Sequence, residues 1–138
     1  MLWTIARLIA LVGLADATYL TAKHYLGGTV TCHLVTGCDA VLASQYATIG
    51  PVPVALLGVG FYGLVLLVLF HPRLPVRGQL LIGLTTLGIF GTLYFLYLQA
   101  VALAAFCFYC IVSAATSTTL YALALTGGRT HRRRVVRA

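Results

Sequence analysis

Four cysteines in two close pairs carry the chemistry open to this sequence, Cys32 with Cys38 and Cys107 with Cys110. The second pair is a C-x-x-C, Cys107-Phe108-Tyr109-Cys110, set inside the apolar stretch from Val101 to Leu125. On a helix, residues three apart share a face, close enough for a disulfide to close without moving the backbone. Vicinal thiols embedded in hydrophobic sequence point to electron chemistry at a membrane. An even cysteine count in paired spacing also fits a four-thiolate metal site. Which reading holds depends on the side of the membrane the thiols face.

The elements that must position them are membrane elements. The chain has 138 residues, 61% of them hydrophobic and 8% charged, with a mean hydropathy of +1.01. Soluble domains carry about a quarter charged residues. With nine Lys or Arg, two acids and no Glu, this chain cannot cover a water-facing surface, and lipid must do so. The net charge of +7 does not indicate nucleic-acid binding, because the basic residues lie outside the apolar segments, where they orient a membrane protein.

The pattern predicts an all-α membrane protein: a four-transmembrane-helix bundle with a short surface helix after the first extracytoplasmic loop. The spans fall at about 2–22, 54–70, 79–99 and 105–126, and a basic cytoplasmic tail follows at 129–138. Ala15-Asp16-Ala17 mimics a signal-peptide cleavage site, but the only basic residue before it, Arg7, sits inside the apolar run. A retained helix is the better reading. A loop holding Cys32 and Cys38 follows Gly27-Gly28, and Ala40 to Thr48 reads as a surface helix capped by Asp39. Gly50-Pro51-Val52-Pro53 punctuates the chain before span two, where Gly58, Gly60 and Gly63 would permit close helix packing. The apolar run from Gln79 to Leu125 is about twice as long as a bilayer core needs and must fold as a hairpin. No Gly or Pro marks its bend, placed here between Gln99 and Ala105, and Gly127-Gly128 should end the last helix.

Four spans put both termini on one side, together with eight of the nine basic residues, while Lys23 alone lies opposite. By the positive-inside rule that side is cytoplasmic. The expected location is the cell membrane, with all four cysteines at the extracytoplasmic face. There disulfides form and persist, and thiolate attack passes two electrons between pairs through a mixed disulfide. A loop pair and a helix-anchored pair on one side make a relay. Two static disulfides are the plainer alternative, but a membrane bundle needs no staple. A thiol-rich metal-binding or transport protein without catalysis is the other, yet an oxidising face is a poor home for four free thiolates. No metal site is expected. For the terminal acceptor, no dinucleotide fingerprint is present, and His24, His33, His71 and His131 sit near span ends or in loops, which disfavours haem. A membrane-soluble quinone, needing only an apolar cavity with a few polar groups, fits by elimination.

The ordered combination Cys32-(five residues)-Cys38-Asp39-Ala40-Val41-(two residues)-Ser44, then Gly50-Pro51-Val52-Pro53-Val54, then Cys107-x-x-Cys110 resembles the vitamin K epoxide reductase family, in particular its prokaryotic homologues. The resemblance implies a four-helix bundle around a quinone (menaquinone, ubiquinone or vitamin K-like). It implies an activity that reoxidises a thioredoxin-like extracytoplasmic partner and so drives disulfide formation in secreted proteins. It also implies roles: Cys110 faces the quinone, Cys107 exchanges with the loop through Cys38, Cys32 meets the partner, and Ser44 lies near the quinone. One departure is Ala114, at a position where the animal enzymes hold their substrate with a tyrosine. This argues for ordinary quinone reduction rather than epoxide reduction. Many prokaryotic relatives carry a fused thioredoxin-like domain; here a basic tail follows the last span, so a separate partner is expected.

Asp16 lies inside span one, where a carboxylate is expensive; a proton-handling role in quinone reduction is set against a neutral, hydrogen-bonded Asp near the interface. Tyr94 and Tyr97 are the foremost candidates for quinone contact, with Tyr19, Tyr46, Tyr62 and Tyr109 behind them. Any of these can instead be an interfacial or bundle-filling aromatic.

Overall fold

A computed structural model describes residues 1–28, 30, 37–71 and 77–136, with side chains described as far as residue 128. The chain is built from helix α1 (Leu2–Leu26), the short α2 (Cys38–Leu42), a 3-10 turn (Gln45–Ala47), a hairpin of β1 (Thr48–Ile49) and β2 (Val52–Pro53), then α3 (Val54–Phe70), α4 (Arg77–Tyr97) and α5 (Phe108–Val136). α1, α5 and the stretch Arg77–Ala102 that holds α4 are long and apolar enough to cross a membrane, while α3 is shorter. The architecture is all-α, as the composition requires.

α1 packs through a stripe of small residues. Ala6, Ala10, Gly13 and Ala17 are buried along it, three or four apart and therefore on one face. Tyr62 of α3 lies directly on Gly13, where an added Cβ would run into its ring. Val65, Leu66 and Leu69 of α3, Leu81 of α4, and Leu120 and Ala124 of α5 complete this core. The opposite faces are apolar too: Leu8, Leu11 and Val12 on α1, Leu64 and Leu67 on α3, and Leu87, Phe90 and Leu93 on α4 are all exposed. An apolar surface of this extent is a lipid-facing surface.

The bundle has two chemically different ends. At one, the guanidinium groups of Arg7 and Arg77 both donate to the Leu69 carbonyl at the end of α3, each at 3.0 Å. Arg77 lies 4.4 Å from the Trp3 ring centre. At the other end are Lys23, Cys38 and the start of α5. Gly27 closes α1 in a left-handed conformation at φ +66°, which glycine adopts without a steric penalty.

Between Cys38 and α3 the chain differs from a single surface helix. α2 ends at Leu42, a 3-10 turn follows, and Thr48 pairs with Pro53 and Ile49 with Val52. Gly50 at φ +62° followed by Pro51 supplies the tight turn that joins the two strands. Nor does Asp39 cap this helix, since it lies within α2 and its Oδ1 accepts the Val30 N–H at 3.1 Å. The carboxylate thus ties the two ends of the cysteine loop together. Of the three glycines in α3, Gly58 does sit against Ala17, while Gly60 and Gly63 meet nothing.

The hairpin between α4 and α5 bends where expected, but without glycine or proline. α4 runs into a π-turn at Leu98–Ala102, with Leu103 N–H bonded to the Leu98 carbonyl at 3.0 Å. Ala104 then takes φ +46°, a conformation that costs a non-glycine residue on the order of 1 kcal/mol. α5 continues past Gly127-Gly128 to Val136. A glycine ends a helix only where the chain turns left-handed, and here Gly127 is packed against the Trp3 ring and Gly128 against Ile82.

Candidate functional site

Cys107 is the residue before α5, and its carbonyl accepts the first bond of that helix, from Ile111 N–H at 3.1 Å. Cys110 lies one turn on, so the pair shares a face, as the spacing predicts. Both are free thiols, and they interact with each other. Their surroundings differ. Cys107 is fully buried and belongs to a cluster with Cys38, Val30, Leu20 and Val41. Cys110 is only half-buried; it packs against the edge of the same cluster and also lines a large cavity from which Cys107 is absent.

Cys38 is disulfide-bonded and 1% exposed. Its neighbour Gly37 touches the backbone just before Cys107: a Cβ there would lie 2.7 Å from the Phe106 carbonyl oxygen and 2.8 Å from its nitrogen. Only a glycine lets the loop come this close. Cys38 and Cys107 are therefore held at one end of the bundle, in one buried cluster. Cys32 falls outside the described residues.

The acidity of Cys107 follows from this arrangement. Its thiol is brought down to about 7 from the ordinary cysteine value, first by the hydrogen bond from the Cys110 thiol. Burial opposes the shift, and the backbone N–H groups of Cys110 and Tyr109 reinforce it. Those N–H groups are the unsatisfied donors of the first turn of a helix. Cys107 is thus the nucleophile-ready member of the pair.

The cavity is about 860 Å³, within the range that holds a cofactor-sized ligand. It lies among α1, α3, α4 and α5, is walled mainly by aliphatic and aromatic side chains, and includes Asp16, Ser44, Gln99 and Cys110 in its lining. The Asp16 Oδ2 is buried without a hydrogen-bond partner among the described residues, and so remains available to a ligand. Ser44 donates to the Val41 carbonyl at 2.7 Å, and its oxygen retains acceptor capacity. Tyr94 and Tyr97 are not part of the lining and are 57% and 61% exposed. The tyrosines at the cavity are Tyr46 and Tyr62. Tyr62 is buried, and its hydroxyl sits 2.7–3.0 Å from the Ser113, Thr116 and Ser117 oxygens of α5.

One residue of the site, Gln99, had only its polarity to mark it in the sequence. It is 2% exposed, and its Oε1 accepts the Cys107 backbone N–H at 2.9 Å. It stands out as the single strongly polar side chain in the apolar run before the C-x-x-C, a signal that locates the bend without revealing its partner.

Fold and site together define a class, that of all-α membrane-type proteins in which a loop cysteine and a helix C-x-x-C share one buried cluster beside an apolar cavity. Residues 4–125 match the vitamin K epoxide reductase family, and the chain belongs to that family. It is also similar to thiol-disulfide oxidoreductase LTO1 of Arabidopsis thaliana, at 34% identity over 121 residues. The match covers 80% of this chain and 32% of that relative, so the chain spans about a third of the relative's length.

Proposed function

We propose that the chain is a four-span membrane thiol–disulfide oxidoreductase that moves electrons from an extracytoplasmic thioredoxin-like protein to a quinone. Both termini and the Arg7–Arg77 end lie in the cytoplasm, and the cysteine end faces outward. A reduced partner attacks the Cys32–Cys38 disulfide and leaves oxidised. Cys38 then attacks Cys107 of the Cys107–Cys110 disulfide, Cys110 departs as a thiolate, and Cys32 attacks Cys38 to reform the loop disulfide and free Cys107. The single observation that carries this reading is the bridging placement of the C-x-x-C, with Cys107 buried beside the loop cysteine and Cys110, next to it, reaching the cavity. Cys38 in a disulfide with Cys107 and Cys110 free matches the state after this exchange.

The cavity fits a quinone by its size, its apolar walls and its few polar atoms. A bound quinone supplies a two-electron acceptor that leaves as quinol after taking two protons. Cys110 presents sulfur to it, Asp16 offers an unpartnered carboxylate oxygen for proton handling, and Ser44 offers an oxygen for orientation. Dense apolar packing around Cys107 keeps bulk water away from that sulfur. The loop exchanges with the thioredoxin-like partner.

The test uses purified protein, a reduced thioredoxin-like protein and a quinone analogue, following quinone absorbance. Wild type is expected to reduce the quinone, and replacing any one of the four cysteines by Ala should abolish turnover. A Cys110→Ala protein that turns over at the normal rate would overturn the assignment.

A further inference from the structure

Gln99 is bonded twice to the turn that delivers Cys107. Its backbone carbonyl accepts Ala105 N–H at 3.1 Å, and its side-chain Oε1 accepts Cys107 N–H at 2.9 Å. The π-turn Leu98–Ala102 holds it there, an irregularity that helices keep mainly at functional sites. A primary amide has one acceptor and one donor end. With the oxygen committed to Cys107, the amino end is left to donate, and it faces the Cys110 thiol. The side chain lines the cavity at the same time. A buried amide that touches both members of a C-x-x-C is more than a helix stop.

We propose that Gln99 is the positioning residue of the relay: it anchors Cys107 for attack by the loop and donates a hydrogen bond to Cys110 when that sulfur leaves. The proposal rests on the relay described above. As the Cys38–Cys107 bond forms, the Cys107–Cys110 bond breaks and its electron pair goes to Cys110. The shared proton that links the two thiols in the reduced pair is then no longer available from Cys107, whose sulfur is tied up in the mixed disulfide. The Gln99 amide supplies the remaining donor, and a hydrogen bond to a charged sulfur in a partly buried, largely apolar site is a strong one.

The test isolates Cys110 in a protein with Cys32, Cys38 and Cys107 all replaced by Ser, and measures its alkylation by N-ethylmaleimide at pH 8 in detergent. Thiolate is the reacting form, so losing the donor lowers the rate. Gln99→Met is expected to slow alkylation about tenfold. A merely structural role predicts the opposite sign, because loosening the turn exposes the sulfur. An unchanged or faster rate in a variant that melts like its parent would overturn the proposal. If Gln99→Met does not fold, Gln99→Glu keeps the acceptor for Cys107 and is read the same way: slower alkylation supports the role and an unchanged rate refutes it. Neither quinone nor partner enters this assay. Its failure alongside intact quinone reduction would therefore strike Gln99 alone.

Discussion

At the scale of single residues, the division of labour within the C-x-x-C is set by what surrounds each sulfur. Cys107 is the more acidic because Cys110 donates to it and first-turn N–H groups point at it. With a thiol lowered to about 7, the thiolate dominates above that pH and is lost as the pH falls through it. Alkylation of Cys107 should therefore rise through pH 7. Cys110→Ala removes the largest cause, so the midpoint should move up towards 9, the unperturbed value; Cys110→Ser, which keeps a donor, should move it less. Tyr62 tests the core in the same way. Its hydroxyl joins α3 to four oxygens of α5, and Tyr62→Phe should destabilise the bundle by about 1 kcal/mol, read as a lowered melting temperature in detergent. Gly13→Leu should cost more, about 1–3 kcal/mol, because its side chain would enter the Tyr62 ring.

At the scale of elements, the apolar helices, the shared face of the C-x-x-C and the bend were legible because hydrophobic length and thiol spacing are local signals. What the sequence hid was which polar atoms would meet. Asp39 reads as a helix cap, since Asp before a helical run usually is one, yet its carboxylate bonds Val30 across the loop. Gly127-Gly128 reads as a helix stop, but packing against Trp3 and Ile82 holds those residues in α5. Tyr94 and Tyr97, on the last turn of α4 just before Gln99, lie outside the cavity lining, and no periodicity in an all-apolar helix reveals which side is inward. Gly37 is the element-scale prediction. Its contact is with backbone, which cannot swing aside, so Gly37→Ala should displace the loop from Phe106. Electron transfer from loop to helix should fall on the order of 10–100-fold. Reduction of quinone by an artificial dithiol acting directly on Cys107–Cys110 should persist. Rapid quenched-flow measurement of both steps separates them.

At the scale of the whole molecule, the apolar exterior and the separation of charge from thiols organise everything else. Arg7 and Arg77 converge on one carbonyl at one end, and Cys38, Cys107 and Cys110 gather at the other. By the positive-inside rule this separation supports the proposed orientation. In intact cells, a membrane-impermeant maleimide should block Cys38 after mild reduction, while a cysteine introduced beside Arg77 should react only after the membrane is opened. The reverse labelling would invert the proposed topology.

The most direct measurement of the relay is whether Cys38 and Cys107 can form one bond. With Cys32→Ala and Cys110→Ala combined, these are the two cysteines left. Mild oxidation should join them within each chain, releasing on proteolysis one disulfide-linked peptide pair that a reductant separates. Quantitative recovery of both as free thiols, in protein that remains folded, would contradict the account.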